Sequence, residues 1–323
     1  MAEYREIQGA AVQNIAGNSG VVEGQIWYDS TANNFKLQAF LAASVATSGN
    51  VNTARTQLGG VGTSTAGVIY GGETPALTGA TENYDGTTWT NATACPATKS
   101  DMHSSGTQTA ALWGGGSPSS SGSFEYNGTS WTAGGDMTFS GRDFYGGSAG
   151  ILTAALQVGG FISPGVYSDV MQQYDGTSWA NIPQVYPTAP QTGNFATTGT
   201  QTACISVGGV SPLDLSSNQW DGSTWTATNN LSTGQYSTVA NGTVSASNII
   251  GGSTPGNTYD TVIQTWDGTC WATSPASIST ERSQSAGGGS ATNAYVAAGR
   301  NAGFLNSTEV FTDAGVGTTT ITT

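Results

Sequence analysis

A six-residue phrase recurs five times along this chain: Tyr84-Asp85-Gly86-Thr87-Thr88-Trp89, Tyr126-Asn127-Gly128-Thr129-Ser130-Trp131, Tyr174-Asp175-Gly176-Thr177-Ser178-Trp179, Trp220-Asp221-Gly222-Ser223-Thr224-Trp225 and Trp266-Asp267-Gly268-Thr269-Cys270-Trp271. Recurrence at a near-constant interval marks a repeat architecture, in which one supersecondary unit buries its apolar surface only against its neighbours. Asp-Gly or Asn-Gly between apolar strands is a strong hairpin signal, because a type I′ turn needs positive φ at both central residues. With a two-residue turn, Tyr84 is expected to pair with Thr87, leaving Trp89 diagonal to Tyr84 on one face, where large rings touch. Residues present in every copy belong to the scaffold, so function is expected in what differs between copies.

Glycine pairs give a second marker, at Gly71-Gly72, Gly114-Gly115, Gly159-Gly160, Gly208-Gly209 and Gly251-Gly252, with a weaker sixth copy at Gly299-Arg300. Their spacings are 43, 45, 49 and 43 residues. Before each lies a mostly apolar strand, such as Val68-Ile69-Tyr70 or Ala111-Leu112-Trp113. After each comes a variable loop, then the strand that leads into the hairpin. Every repeat thus reads as four antiparallel strands. The sixth copy has Phe311-Thr312-Asp313 where the others have Tyr-Asp-Gly, and Thr318 to Thr323 is the expected source of its last strand.

Composition agrees with many short strands and turns. Glycine numbers 47 of 323 residues, and charged residues are only 8%. The net charge of −13 opposes nucleic-acid binding, which calls for a basic surface. No run is long and apolar enough for a membrane helix, and the first residues lack the basic-then-apolar layout of a signal peptide, so no membrane insertion and folding in a host cytoplasm are expected. Cys95, Cys204 and Cys270 are odd in number and widely spaced, which argues against a disulfide framework or a zinc knuckle.

Four strands at a period in the forties, with a glycine pair closing the second, Tyr in the third and Trp in the fourth, resemble the kelch family of β-propellers. The resemblance covers residues 51–323 and implies an all-β, kelch-like β-propeller of six four-stranded blades. The turn between Tyr and Trp is shorter than the kelch pattern. Sialidase Asp-boxes place one residue between Asp and Gly; here the two are adjacent, so that comparison is set aside.

Residues 1–50 lack the glycine pair and are expected to form an N-terminal arm and hairpin. Gly24-Gln25-Ile26-Trp27-Tyr28-Asp29-Ser30 and Asn33-Asn34-Phe35-Lys36-Leu37-Gln38 alternate around a polar turn. This resembles a hairpin found near the N-termini of marine bacteriophage virion proteins, often ahead of repeat domains. The resemblance implies docking on other virion proteins through residues 1–50, with Tyr4, Arg5, Trp27, Tyr28 and Lys36 as docking candidates. The competing reading makes the hairpin an extra strand pair that closes the ring.

A nucleophile–His site would have to use the one histidine, His103, which sits among Ser and Thr and reads as a surface or channel-wall residue. A copper oxidase of kelch type needs two. The glycine runs at 114–116 and 287–289 lack the Lys-Ser/Thr of a phosphate loop. The recurring Asp85, Asp175, Asp221 and Asp267 read as turn formers in preference to calcium ligands. Glu82, Glu125 and Glu309 precede only three of the turns, which fixes no carboxylate pair. No catalytic residue, metal or cofactor is expected.

Arg55, Arg142 and Arg282 start the first strand of three blades. They read either as structural arginines bonding backbone carbonyls or as a ring at one channel mouth suited to an anionic sugar or carboxylate. Recognition is expected in the loops 73–80, 117–122, 161–168, 210–216 and 253–258, with Phe161 and Tyr167 as aromatic platforms. Together these readings give a non-enzymatic virion structural protein, localised to the particle. It would display a propeller for attachment to a host-surface glycan (tail fibre or baseplate) or for capsid decoration, as a homo-oligomer or singly. A carbohydrate-active enzyme on the same scaffold is the alternative.

Overall fold

The computed structural model describes residues 13–15, 24–138, 142–143, 147–162, 166–187, 194–209, 215–254, 256 and 258–320. The described residues contain strands and turns and no helix, and they fall into two units: residues 1–43 with 313–323, and residues 44–312.

The first strands are β1 (Gln13–Ile15), β2 (Ile26–Asp29), β3 (Asn34–Leu41) and β4 (Ser44–Ser48). Six blades follow. The first is β5 (Gly59–Thr63), β6 (Ala66–Tyr70), β7 (Thr81–Tyr84) and β8 (Trp89–Ala92). The second is β9 (His103–Thr107), β10 (Ala110–Gly114), β11 (Ser123–Tyr126) and β12 (Trp131–Ala133). The third adds a short β13 (Arg142–Asp143) to β14 (Gly147–Ile151), β15 (Ala154–Ile162), β16 (Val166–Tyr174) and β17 (Trp179–Val185). The fourth is β18 (Ala196–Thr200), β19 (Ala203–Val207), β20 (Ser217–Trp220) and β21 (Trp225–Ala227). The fifth contains β22 (Val239–Thr243), β23 (Ala246–Ile250), β26 (Val262–Trp266) and β27 (Trp271–Ser277), with a small ribbon of β24 (Ser253–Thr254) and β25 (Thr258–Tyr259) on its loop. The sixth starts with β28 (Ala286–Gly289), β29 (Asn293–Ala297) and β30 (Thr308–Thr312), and β31 (Gly315–Thr320) comes last.

The innermost strands β5, β9, β14, β18, β22 and β28 adjoin one another in a closed circle, which makes residues 44–312 a six-bladed β-propeller. Each second strand is covered on both faces by neighbouring blades, and its sequence is accordingly mostly apolar: Val68, Ile69 and Tyr70 are fully buried, and the counterparts that are polar, Gln157, Ser206 and Asn248, are buried too. The core is a series of clusters between blades. Val61, Val68 and Tyr70 of the first blade pack with Ala111, Trp113 and Trp131 of the second. Leu112 of the second packs with Ala155, Tyr174 and Trp179 of the third.

Glycine is required at one place on each inner strand. Gly62 has φ +110°, and a Cβ there would stand 2.3 Å from the carbonyl oxygen of Ala66 on the adjacent strand. Gly106, Gly150, Gly199, Gly242 and Gly289 repeat both properties. The bend they permit ends the strand at the hairpin, where any side chain would push the two backbones apart.

Three expectations are corrected. The sixth blade takes its fourth strand from the start of the chain: β4 pairs with β30, Val45 facing Phe311. Thr318 to Thr320 instead pair with Gln38, Leu37 and Lys36, placing β31 in the other unit. The hairpin 24–41 shares a sheet with β1 and β31, so it is not the closing pair. The glycine pairs shift too. The left-handed pair of the second blade is Gly115-Gly116, and that of the sixth is Ala298-Gly299.

The smaller unit is a sheet ordered β1-β2-β3-β31. β2 and β3 form the expected hairpin, Trp27 opposite Lys36 and Tyr28 opposite Phe35. Asp29 Oδ1 accepts the amides of Thr31 and Ala32, which bends the chain between the strands. Strand alternation places Ile26, Tyr28, Phe35 and Leu41 on one face, and Ile26, Phe35 and Leu41 there are exposed.

Candidate recognition surface

The repeated hairpin joins blades. Tyr84 pairs directly with Trp89, not Thr87, and their rings stack with centroids 4.7 Å apart. The turn has four residues because Asp85 Oδ1 accepts the amides of Thr87 (2.8 Å) and Thr88 (2.7 Å), and Asp85 N–H reaches Thr88 O (3.2 Å). Gly86 takes positive φ while Asp85 does not, so the turn is an Asx-type loop and not type I′. The indole N–H of three hairpin Trp residues reaches a hydroxyl of the preceding blade: Trp89 to Thr308 Oγ1 (2.9 Å), Trp131 to Thr81 Oγ1 (3.1 Å) and Trp271 to Ser217 Oγ (3.1 Å).

These amide bonds hold Asp85, Asp175, Asp221 and Asp267 below the usual carboxylate range. A carboxylate depressed in the folded state stabilises fully above its unfolded pKa of about 3.9, and the benefit is lost as pH falls through the folded value. Asn127 performs the same two amide contacts without titrating. Replacing the four aspartates by Asn is therefore expected to leave a shallower fall of melting temperature below about pH 4 than the native chain shows. Thermal melts from pH 7 to acid check this, and an unchanged slope would contradict it.

Arg55 and Arg282 do not ring an open mouth. Both side chains are fully buried, paired to Glu82 (3.0 Å) and Glu309 (2.9 Å) of their own blades. Burial pulls each guanidinium below its usual pKa and the facing carboxylate opposes this. Arg282 also donates to the carbonyls of Ala298 (3.0 Å) and Ser307 (2.8 Å), as the structural reading expected, although these carbonyls lie in its own blade. The fifth blade has a neutral version: Gln264 Nε2 donates to Gln235 Oε1 (2.6 Å), and Gln235 Nε2 donates to Gly251 O (2.9 Å). Arg142 lies in β13, whose backbone pairs with Ile162. Glu125 sits one residue later than Glu82 in its repeat and bonds the hydroxyl of Tyr174 in the next blade.

Cavities of about 110 and 190 Å³ lie along the channel and are lined by uncharged residues, mainly Gly, Ser, Ala and Thr of the inner strands with Leu58, Met102 and Phe195 at one mouth. His103 is buried in β9. Burial pushes the Cys95 thiol up to about 12 and raises Cys204 as well, while Asp267 raises Cys270, so none is a thiolate at neutral pH. Among the described residues no group of three metal-ligating side chains occurs.

The same mouth carries a ring of entry turns. Gln57, Asp101, Asn194, Ser237 and Gln284 all adopt left-handed φ between 52° and 62°. Their amides link blade to blade, Asp101 to Gln57 O, Gln57 to Gln284 O, Gln284 to Ser237 O and Ser237 to Asn194 O. Beside four of these turns, the residue that follows the glycine pair makes one bridge: Thr56 with Glu73, Ser100 with Ser117, Tyr236 with Ser253, Ser283 with Arg300. The backbone repeats here while the side chains change, so this rim is where the propeller can differ from blade to blade. Phe161 and Tyr167 lie on the same kind of loop, directly opposite each other in β15 and β16, with Tyr167 half-buried.

In the smaller unit, Trp27 is fully buried, whereas Tyr28 and Lys36 are half-buried. Tyr4 and Arg5 lie outside the described residues. Sequence reasoning missed Tyr236, Tyr259 and Arg300 at the rim. The signal for Arg300 was hidden because it was counted as half of a glycine pair, when it is the first residue of a variable loop.

Comparison with known proteins bears on the fold. No protein family matches the chain, and no curated protein matches it. The chain is similar to the solved structure of YjhT, with a TM-score of 0.63 and 14% identity over 85% of this chain and 99% of that one. The likeness supports a six-bladed β-propeller.

Proposed function

We propose that the chain is a non-enzymatic phage virion protein in which the smaller unit attaches to the particle and the propeller is displayed for host-surface recognition or capsid decoration. The observation that carries this reading is the exposed apolar face of the β2–β3 hairpin. Three large apolar side chains, Ile26, Phe35 and Leu41, are exposed beside Tyr28, and Phe40 on the other face is 61% exposed. An apolar face of this kind marks a protein contact, and it is carried by the hairpin that resembles those of marine phage virion proteins. A closed ring whose variable side chains gather at one rim suits display, because rigid blades hold recognition residues in place without loss of freedom on binding.

Mass spectrometry of purified particles tests the reading. The chain is expected in stoichiometric amounts with the other structural proteins; its absence from particles while present in the lysate would overturn the proposal.

A further inference from the structure

We propose that the cavity between the fourth, fifth and sixth blades binds a sugar ring carrying a carboxylate. The cavity has a volume of about 250 Å³, and its wall includes Asn194, Tyr236, Tyr259, Ser283, Gln284 and Arg300. The inference deepens the reading of the propeller as a recognition head and rests on it only for biological context.

The backbone beneath these residues is fixed. Tyr236 is bridged to Ser253, Ser253 pairs with Tyr259, and Ser283 is bridged to Arg300. Ser237 and Gln284 are tied into the ring of entry turns, Ser237 N–H reaching Asn194 O at 2.8 Å and Gln284 N–H reaching Ser237 O at 3.2 Å. Side chains on such a frame are positioned before any ligand arrives. The corresponding bridges of the first two blades hold Thr56 with Glu73 and Ser100 with Ser117, small or acidic residues. At this junction the same slots hold an aromatic ring and a cation.

Each group suits one part of an acidic sugar. Tyrosine presents a flat apolar face to ring C–H groups and a hydroxyl at its edge. Asn194, Ser283 and Gln284 offer both donors and acceptors, which sugar hydroxyls need. Arg300 is exposed, and no ion pair among the described residues engages it. Its planar guanidinium matches a carboxylate through two parallel hydrogen bonds. Charge narrows the class further. The chain carries seven Lys and Arg against twenty Asp and Glu, and Arg55 and Arg282 are locked in ion pairs. A polyanion would meet repulsion from the acidic whole, whereas a ligand with one carboxylate placed at Arg300 feels mainly its local field.

The test uses the full chain with methyl β-glucuronide and methyl β-glucoside, the same ring with and without the carboxylate, followed by saturation-transfer NMR and calorimetry. The glucuronide is expected to bind at least tenfold more tightly. Arg300→Gln is expected to reduce its affinity to that of the glucoside, and Tyr259→Ala to remove binding of both, with unchanged melting curves showing that the variants fold. Equal binding of the two glycosides, no binding of either at millimolar concentration, or an unaffected Arg300→Gln variant would each overturn the proposal. Particles that contain the chain without glycoside binding defeat this inference alone; glycoside binding by a chain absent from particles defeats the virion reading alone.

Discussion

A fragment of residues 51–312 is expected to melt well below one of residues 44–312, although only seven residues separate them. The shorter fragment lacks β4, which supplies the outermost strand of the sixth blade through five register pairs, from Ser48 with Thr308 to Ser44 with Thr312. At about 1 kcal/mol of net stabilisation for each ladder bond, the loss is on the order of 5 kcal/mol, a large share of the roughly 5–15 kcal/mol that holds a domain folded. That corresponds to a fall in melting temperature of about 10 °C or more for a domain of this size. It also strips the cover from β30, an edge ready to pair with another chain, so self-association is expected alongside. Circular dichroism melts and size-exclusion chromatography of the two fragments check both effects. Equal melting temperatures would contradict closure by the start of the chain.

Arg282→Ala is expected to cost about 3–5 kcal/mol, because it leaves Glu309 as a buried charge without its partner. Glu309 also anchors the entry segment, accepting the amides of Ser279 (2.6 Å) and Thr280 (3.2 Å), so the loss propagates to the turn that positions the blade. The protein contains its own template for rescue. Gln235 and Gln264 occupy the same positions in the fifth blade; Gln235 bonds the carbonyl of Gly251 as Arg282 bonds that of Ala298, and Gln264 accepts the amide of Ser232 at 2.8 Å. The double variant Arg282→Gln with Glu309→Gln is therefore expected to recover all but about 1–2 kcal/mol, since each polar atom keeps a partner and no charge is buried. Denaturant titration of the single and double variants measures the coupling. A double variant no more stable than Arg282→Ala would contradict the equivalence of the two pairs.

Much of the propeller is legible in the sequence because its determinants are local and repeated. The interval between glycine pairs, the apolar second strand and the Tyr–Trp hairpin each state one blade, and their number gives the six blades observed. What failed was non-local or hidden by composition. Both Ser44–Ser48 and Thr318–Thr320 are short Ser/Thr-rich stretches fit for an outer strand, and only pairing across hundreds of residues decides between them. Three consecutive glycines at 114–116 obscured which two adopt left-handed φ, and Ala298 in that conformation disguised the sixth pair. The turn was misjudged because the Asp side chain, by capturing two amides, builds a longer loop than Asp-Gly alone suggests.

The rim was half legible. Its loops were identified as the variable part, but the aromatic and cationic groups that line the 250 Å³ cavity come from two different blades. Tyr236 and Arg300 are 64 residues apart and meet because the fifth and sixth blades pack side by side. Of the two readings of the arginines, structural or a ring at one mouth, Arg55 and Arg282 take the first. The same spacing that suggested a common mouth places Arg55 and Arg282 at the buried entry of their blades, each facing a glutamate two residues before the hairpin aromatic.

The proposed function divides labour between the smaller unit, which attaches, and the propeller, which is displayed. Its most direct measurement is quantitative immunoblotting of purified particles assembled with either the full chain or residues 44–312, the fragment expected to stay folded. The full chain is expected to enter particles while residues 44–312 remain in the soluble fraction with native melting behaviour. Equal incorporation of the two would contradict it.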